Sequence, residues 1–374
     1  MAPPKPSLEM LRALTDENVL RALMSEARLT RAEIAARTGI SKPTISDSVH
    51  RLSEAGFVVD TGRRTTGRGR VGSYYALAPG LGTALVAGIT QHRVGVEAVD
   101  ALGRVQGREE AKLGPGAGPE AAADALAAVT GRLAERLTGG LRTAVISAAD
   151  PVERTTGRLV RLPDAPFLIG DLDPPAVLAG YVTGPVLVDN DVNWAARAEH
   201  AEGRARGIDD FVYLHLGEGL GGAVVSDGTV RRGHRGLAGE IAHLRTTGPG
   251  DAAMPLTEVL SALGLREAGS TAVDVSALRA RLADSAETRT VLARAIGAVL
   301  AAAVALLDPR MIVIGGAWGP DLIPEIDAHF ARDPRPVPVT AATLTDPEAT
   351  GARNRAVEEL RSLVVRSAHP SLTP

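Results

Sequence analysis

The sequence predicts an α/β protein in which a small, mainly helical N-terminal unit precedes a larger body of two related halves. Between residues 16 and 54, apolar residues recur at helical spacing and are separated by helix-capping residues. From residue 81 onward, short apolar strands alternate with longer helical segments. The order of strands and helices in the first half of this body recurs in the second half, which indicates an internal duplication.

The composition is typical of a globular protein and excludes several kinds of site. Of the 374 residues, 45% are hydrophobic and 23% are charged. The sequence has no cysteine, which excludes disulfides, thiolate zinc sites and thiol catalysis. Residues 1–8 contain three prolines and no apolar run, and the apolar stretch 295–307 has only 13 residues, too few to cross a bilayer. We therefore expect a cytoplasmic protein with no membrane partner.

Three helices are predicted in the first eighty residues. Apolar residues at helical spacing place the first helix over residues 16–27. Thr30 and Glu33 have the spacing of a capping box that begins a second helix, and Gly39 supplies the positive φ that ends it. Ser41 can cap a third helix after a short turn. A helix, a turn containing glycine and a second helix are the parts of a helix-turn-helix.

The third helix is predicted to have a buried apolar face and an exposed polar face. Ile45, Val49 and Leu52 lie on one side and are expected to pack on the first two helices. The other side and the helix tip carry side chains that can bind base edges or phosphates, namely Lys42, Thr44, Ser46, Asp47, His50 and Arg51.

A basic loop between two short strands follows this helix. Residues 57–59 and 73–77 are predicted strands, and the glycine-rich loop between them carries Arg63, Arg64, Arg68 and Arg70. Residues 1–80 contain 12 Lys and Arg against 8 Asp and Glu, a net charge of +4, so the rest of the chain carries −7. A basic unit on an acidic body suggests a polyanionic partner. We therefore predict that residues 1–80 form a winged helix-turn-helix that binds double-stranded DNA.

The remaining sequence is predicted to contain two similar sets of strands and helices. The first set has strands at 81–89, 94–99, 105–113, 141–147 and 186–189 and a helix at 119–137. The second set has strands at 211–216, 221–225, 229–231 and 311–314 and a helix at 288–307. A duplicated meander with crossover helices predicts two lobes with a ligand cleft between them.

The lobes are expected to divide near residue 190. We assign residues 81–190, with a C-terminal helix at about 352–370, to a small lobe. Residues 191–351 are assigned to a large lobe.

Four stretches of this sequence resemble the ROK family (repressors, open reading frames and kinases), and specifically its regulator branch. They are the winged N-terminal unit and the segments 189–196, 233–243 and 307–316. The resemblance covers nearly the whole chain and implies an actin-like, ribonuclease-H-like body of two lobes.

The resemblance also implies a sugar site. In ROK kinases an Asn-Asp pair binds sugar hydroxyls and the Asp is the catalytic base; these residues match Asn190 and Asp191. The Glu and His of a second motif contact the sugar and match Glu240 and His243, while Asp164 replaces a further sugar-contacting Asn. Carboxylates accept hydrogen bonds from hydroxyls, and Asn and His can both donate and accept them. This set of side chains suits a polyol.

The sequence departs from the kinases at both phosphate loops. ROK kinases follow their first strand with Asp-x-Gly-Gly-Thr, but this chain has Thr-Gln-His-Arg-Val at residues 90–94. In the second loop, residues 217–222, Glu218 replaces a Thr. A carboxylate about 4 Å from a phosphate oxygen costs about 4 kcal/mol at an effective dielectric of about 20, which is roughly a thousandfold in affinity. We therefore predict that Asp191 is a vestigial base and that the body is not an active kinase.

No metal or other cofactor is expected. The structural zinc of the family uses one His, which matches His243, and three Cys, none of which this chain has. A single imidazole cannot fix the ion. The segment 246–255 is therefore expected to be held by other interactions.

Together these features predict a sugar-responsive transcription regulator, a repressor of carbohydrate genes. We expect it to bind a DNA operator and a sugar or sugar phosphate as a homodimer or homotetramer. Two alternatives remain open from the sequence. One is an active sugar kinase with a DNA-binding head, and the other is a regulator that acts through a protein partner without a small ligand.

Overall fold

A computed structural model describes residues 7–65, 72–162, 165 and 168–370. The N-terminal unit, called the head below, consists of three helices and a three-stranded sheet of order β1-β3-β2. Its elements are α1 Leu8–Ser25, β1 Leu29–Thr30, α2 Arg31–Thr38, α3 Lys42–Glu54, β2 Val58–Arg64 and β3 Ser73–Leu77.

The caps that the sequence predicts form in the head. Both halves of the capping box between Thr30 and Glu33 are present, and Gly39 ends α2 with a φ of 71°. The Ser41 side chain caps α3 by accepting from the amide of Thr44. The first helix begins at Leu8 rather than at residue 16, because Ser7 accepts a hydrogen bond from the Met10 amide and caps it there.

The first sheet of the body has the order β6-β5-β4-β7-β8. Strands β4, β5 and β6 form an antiparallel meander, and β7 and β8 continue the sheet in parallel with β4. The elements of this region are β4 Thr83–Thr90, β5 Arg93–Val99, β6 Val105–Lys112, α4 Pro119–Ala134, β7 Leu141–Ala148, α5 Pro174–Leu178 and β8 Val186–Asn190.

The second sheet, of order β11-β10-β9-β14-β15, repeats this arrangement. An antiparallel meander of β9, β10 and β11 is again continued by two parallel strands. The elements are α6 Asp191–Glu202, β9 Phe211–Leu216, β10 Leu220–Ser226, β11 Thr229–Val230, β12 Arg245–Thr247, β13 Ala253–Pro255, α7 Leu256–Ala262, α8 Val275–Asp284, α9 Ala286–Leu307, β14 Met311–Gly315, α10 Ile323–Phe330, β15 Val339–Ala341 and α11 Pro347–Ala368. The common strand order is the structural counterpart of the duplicated sequence pattern.

Helix α9 is longer than the 13-residue apolar stretch seen in the sequence. With 22 residues from Ala286 to Leu307, it is long and apolar enough by length and composition to span a bilayer. In the structure, Leu292, Ile296 and Val299 are buried in one hydrophobic cluster with residues of the second sheet. This part of the helix packs as a core helix does, whereas Leu306 and Leu307 at its end are exposed.

Helix α11 connects the body to the head. It packs along α6 and against β4 and β7. Farther along this helix, Arg361 donates from Nε to the carbonyl of Ala101 at 2.8 Å and from Nη2 to the carbonyl of Met24, near the end of α1, at 2.9 Å. A 22-residue helix is about 33 Å long, so α11 can carry a displacement from one region to the other.

Asp16 joins α1, α3 and the residue that follows α11. Its side chain is buried, with 2% exposure, and accepts from Ser48 Oγ at 2.5 Å and from Arg51 Nη2 at 2.6 Å. His369 Nε2 lies 3.1 Å from the other carboxylate oxygen. The guanidinium of Arg51, which is predicted to bind DNA, is thus held by Asp16 while 35% of its side chain stays exposed. Its contact with DNA stays a prediction.

We predict that Asp16→Ala lowers the stability of the head by about 2–4 kcal/mol, because it removes the buried acceptor of Ser48 and Arg51. Hydrogen exchange of the α3 amides measures this loss. The matched control is Glu17→Ala, since Glu17 forms an exposed i,i+4 pair with Arg21 and its loss should change the protection by less than about 0.5 kcal/mol. Equal protection in both variants would contradict the role of Asp16.

Candidate functional site

A cleft of about 440 Å³ lies where the two halves of the body meet. It is lined at the ends of β4, β8 and β9 and by the loops that follow them. Four of the residues predicted to bind a ligand, Asn190, Asp191, Glu240 and His243, line this one cavity. Residues separated by about fifty positions in the sequence are thus brought to a single site.

Asn190 and Asp191 lie at the junction between β8 and α6. The Asn190 side chain caps α6 by accepting from the amide of Val192 at 3.0 Å, and it donates to the carbonyl of Asp150 at 3.1 Å. Its amide therefore fixes the start of α6 in addition to lining the cleft. Burial raises the pKa of Asp191 to about 6.

The positions of Glu240 and His243 in the cleft depend on a close approach between the backbone of β10 and the segment that precedes Glu240. The amide of Gly222 donates to the carbonyl of Gly239 at 2.8 Å. Gly239 has a φ of 100°, and a Cβ at this position would lie 1.8 Å from the carbonyl oxygen of Gly222. Only glycine fits there, and it sets the start of the 3-10 turn that brings Glu240 and His243 to the cleft.

Three titratable residues that sequence reasoning missed lie in or behind the cleft. His215 on β9 and Glu348 in the first turn of α11 line it. Burial raises the pKa of Glu348, with a further contribution from the charge of Asp191, and burial lowers the pKa of His215. No spacing pattern relates Glu348 to Asp191, so the sequence contains no local signal for it.

Asp150 lies behind the cleft and is fully buried. One of its carboxylate oxygens accepts from the amide of Gly170 at 2.6 Å, while the other has no hydrogen-bond partner among the described residues. Burial raises its pKa to about 6, and the charge of Asp191 contributes to this shift. The region thus concentrates carboxyl groups that are costly to ionise.

Both loops that would hold phosphates in a kinase meet at Glu218. Gln91, in the β4–β5 turn, donates to the Glu218 carboxylate at 2.5 Å, and His92 Nε2 lies 3.0 Å from the same oxygen. The carboxylate of Glu218 and the side chains of Gln91 and His92 therefore lie in the loops where a kinase needs backbone amides that face a phosphate.

The hairpin of β12 and β13 is held without metal ligands. Thr246 Oγ1 is buried and donates to the carbonyl of Ala295 on α9 at 2.6 Å, and Arg294 donates to the carbonyl of Gly248 at 2.8 Å. Among the residues that the structure describes, no group of three or more His, Cys, Asp and Glu side chains could hold a metal ion. The residues at this position do not fit the zinc that the family resemblance implies.

The predicted DNA-binding surface of the head is open to solvent. Side chains that are exposed or half-buried on α3 are Lys42, Thr44, Ser46, Asp47 and His50. Arg63 and Arg64 are exposed on β2, where Arg64 pairs with Asp60 at 2.9 Å. Arg68 and Arg70 of the predicted wing, and Asp164 of the predicted sugar site, lie outside the described residues.

Comparison with known families accounts for both parts of the chain. A model of winged helix-turn-helix DNA-binding domains matches residues 12–59. The ROK family model matches residues 87–321. The chain belongs to the ROK family. Within this ROK protein, the cleft lies in the region that the family model covers, and the head is a winged helix-turn-helix DNA-binding domain.

Relatives of this ROK protein include regulators and enzymes. It is 22% identical to the xylose repressor of Caldicellulosiruptor bescii over 63% of its own length and 59% of the repressor. It is 36% identical to the bifunctional enzyme NanE/NanK of Brucella melitensis biotype 1, over 36% of its own length and 27% of the enzyme. The chain thus spans only about a quarter of this enzyme.

A solved structure matches nearly all of the chain. The crystal structure of a ROK family transcriptional regulator, a homologue of the E. coli MLC protein, superposes with a TM-score of 0.66 at 17% identity. The match covers 96% of this chain and 99% of that regulator. At this identity the match establishes the fold, including the combination of head and body.

Proposed function

We propose that this ROK protein is a sugar-responsive transcriptional repressor that acts in the cytoplasm and transfers no phosphate. The observation that carries the proposal is the combination, in one chain, of a DNA-binding head and a polar cleft whose phosphate loops are closed by Glu218. The repressor assignment is supported by the resemblance to the xylose repressor. As a homodimer or homotetramer, the protein would present two copies of α3 to the two halves of an operator.

The cleft has the chemistry to bind a sugar or a sugar phosphate. Asp191 and Glu240 offer carboxylate acceptors for hydroxyl groups, and His243 can donate or accept. Hydroxyl donors from a sugar would stabilise the ionised form of Asp191, whose burial currently disfavours it. A polyol therefore supplies the hydrogen bonds that this cluster of carboxyl groups needs.

Helix α11 provides a route by which occupancy of the cleft reaches the head. Glu348, in its first turn, lines the cleft, while Arg361 binds backbone carbonyls of both the body and α1. At the far end, His369 contacts Asp16, which also holds Arg51 of α3. A ligand that displaces Glu348 would shift α11 and, through these contacts, the helix that faces DNA.

An active sugar kinase is the second candidate, and Asp191 favours it. A carboxyl with a pKa of about 6 suits a general base that works near neutral pH. The phosphate loops oppose this candidate, because catalysis of phosphoryl transfer depends on positioning and neutralising the phosphates. We therefore rank the kinase below the regulator.

For the head, we predict that Lys42→Ala weakens binding to a duplex selected by the wild-type protein from a random library by about five- to tenfold. The slope of log affinity against log salt should fall by about one, as expected for one lost phosphate contact. Fluorescence anisotropy at several salt concentrations measures both quantities. Arg281→Ala, which removes an exposed charge on α8, is the control and should change neither. An unaltered affinity in Lys42→Ala would argue against α3 as the DNA-facing helix.

For the cleft, we predict that sugar affinity falls about tenfold between pH 7.5 and pH 5. The pKa of Asp191 is raised to about 6, so its carboxylate is present above that pH and is lost below it. Calorimetry with a hexose panel identifies a ligand, and its affinity is then followed with pH. Asp191→Asn should bind more weakly and lose most of the pH dependence. A full pH dependence in this variant would instead assign the titration to Glu348, His215 or Asp150.

For the phosphate loops, we predict no transfer of phosphate from ATP to any hexose that binds. The Glu218 carboxylate occupies the loop, and the β4–β5 turn lacks the glycines of a phosphate cradle. A coupled assay of ADP release, with magnesium and saturating hexose, should remain at background in the wild type and in Glu218→Thr. Turnover that disappears in Asp191→Asn would show that the chain is a kinase.

A further inference from the structure

A second cavity, of about 720 Å³, lies beside the β8–α6 junction. It is bordered by the loop at residues 154–157, by β8 and α6, and by α11. Among the described residues, none lines both this cavity and the sugar cleft. We call it the arginine cavity, because Arg154, Arg197, Arg232 and Arg355 line it.

The arginine cavity carries more positive than negative charge. The acidic residues in its lining are Asp189 and Glu358. Asp189 is 3% exposed and holds two of the arginines, with 2.7 Å to Arg197 and 3.1 Å to Arg232. Four guanidinium groups against two carboxylates leave a net charge of +2 on the lining.

Several guanidinium N–H groups in the cavity have few hydrogen-bond partners among the described residues. Arg232 Nη2 donates to the carbonyl of Val188 at 3.3 Å. Its Nε is buried and makes no hydrogen bond of good geometry within the described part of the chain, although it lies near Asp189. For Arg154, the described residues offer one hydrogen bond, a 3.4 Å contact to the carbonyl of Gly233. Arg197 uses one nitrogen on Asp189 and stacks over the Trp194 ring at 4.5 Å. Of these groups, only Arg232 Nε is buried without a hydrogen-bond partner among the residues that the structure describes, whereas Arg154 is exposed. A buried cationic donor beside an exposed guanidinium favours an anionic ligand.

Arg355 is the member whose donors are already occupied. It pairs with Glu358 and Glu359 along α11, each at 3.0 Å. The binding charge is therefore concentrated on Arg154, Arg197 and Arg232, with Arg355 at the α11 side. The side of the cavity formed by Arg154, Arg197 and Arg232 is basic, whereas on the α11 side the charge of Arg355 is neutralised by glutamates. A basic surface of this small extent suits a small dianion better than an extended polyanion.

We propose that the arginine cavity binds a phosphate dianion, either inorganic phosphate or the phosphate group of a small phosphomonoester. Planar guanidinium groups form paired hydrogen bonds with phosphate oxygens. This site goes beyond the proposed function, because it is separate from the sugar cleft and needs neither DNA nor sugar. Its floor residue, Asp189, directly precedes Asn190 and Asp191, so a bound anion that draws Arg197 or Arg232 away from Asp189 would act on the start of α6.

The test uses the full chain and two probes, inorganic phosphate and glycerol 3-phosphate, in calorimetry at constant ionic strength set with chloride. We expect saturable binding of at least one probe, and about tenfold weaker binding in Arg154→Gln. Arg154 is the residue of choice because its removal leaves no buried carboxylate unpaired. The matched control is Arg158→Gln, since Arg158 is a nearby exposed arginine outside the cavity, 3.8 Å from Asp173.

The outcomes separate the possible sources of the anion. Tighter binding of glycerol 3-phosphate supports a phosphorylated metabolite, and equal binding supports inorganic phosphate. Equal affinities in the wild type and Arg154→Gln would overturn the proposal, because the anion would then bind elsewhere, for example on the basic head. Heats no larger than those of added chloride would overturn it as well. Neither result bears on sugar binding or on DNA binding, so the proposed function is tested separately.

Discussion

The buried carboxylate of Asp16 constrains how the head can sit on the body. A charge that is 2% exposed must be matched by donors from several elements. The donors come from α3, through Ser48 and Arg51, and His369, the residue after α11, lies 3.1 Å from the same carboxylate. The orientation of α3, which we propose faces DNA, is therefore tied to the end of α11, whose first turn lines the cleft.

The cleft also contains buried carboxyl groups that need hydrogen-bond donors. Asp150, Asp191 and Glu348 are carboxyl groups whose pKa values are all raised by burial. Asp150 retains an oxygen without a partner among the described residues. Such a cluster gains most from a ligand rich in hydroxyl donors. Under the proposed function, the altered phosphate loops oppose nucleotide binding, while Asp191 and Glu240 still line the cleft as acceptors for a sugar.

The sequence allowed much of the fold to be predicted, because its local signals are strong. The capping box at Thr30 and Glu33 and the positive φ of Gly39 depend only on neighbouring residues. The duplicated order of strands was visible because each strand is a short apolar run between turns. The motifs of the ROK family located Asn190, Asp191, Glu240 and His243, and the structure brings these four to one cavity.

The remaining features depend on contacts between distant parts of the chain. Glu348 and His215 reach the cleft from elements with no motif of their own, and the contact between Asp16 and His369 joins the two ends of the described chain. Helical periodicity placed Arg51 on the polar side of α3, but it could not reveal a buried partner on α1. The apolar run 295–307 is shorter than α9 because Arg294 directly precedes it and because Glu287 and Arg289 lie in the first turns of the helix.

We propose that α11 transmits occupancy of the sugar cleft to the head. The most direct measurement is the affinity of the full chain for its selected duplex, with and without saturating sugar, in the wild type and in Arg361→Ala. We expect sugar to change the wild-type affinity at least about tenfold, a coupling of about 1.4 kcal/mol. In Arg361→Ala, sugar and DNA should each still bind, but the coupling should largely disappear. An equal effect of sugar in both proteins, or none in the wild type, would contradict the account.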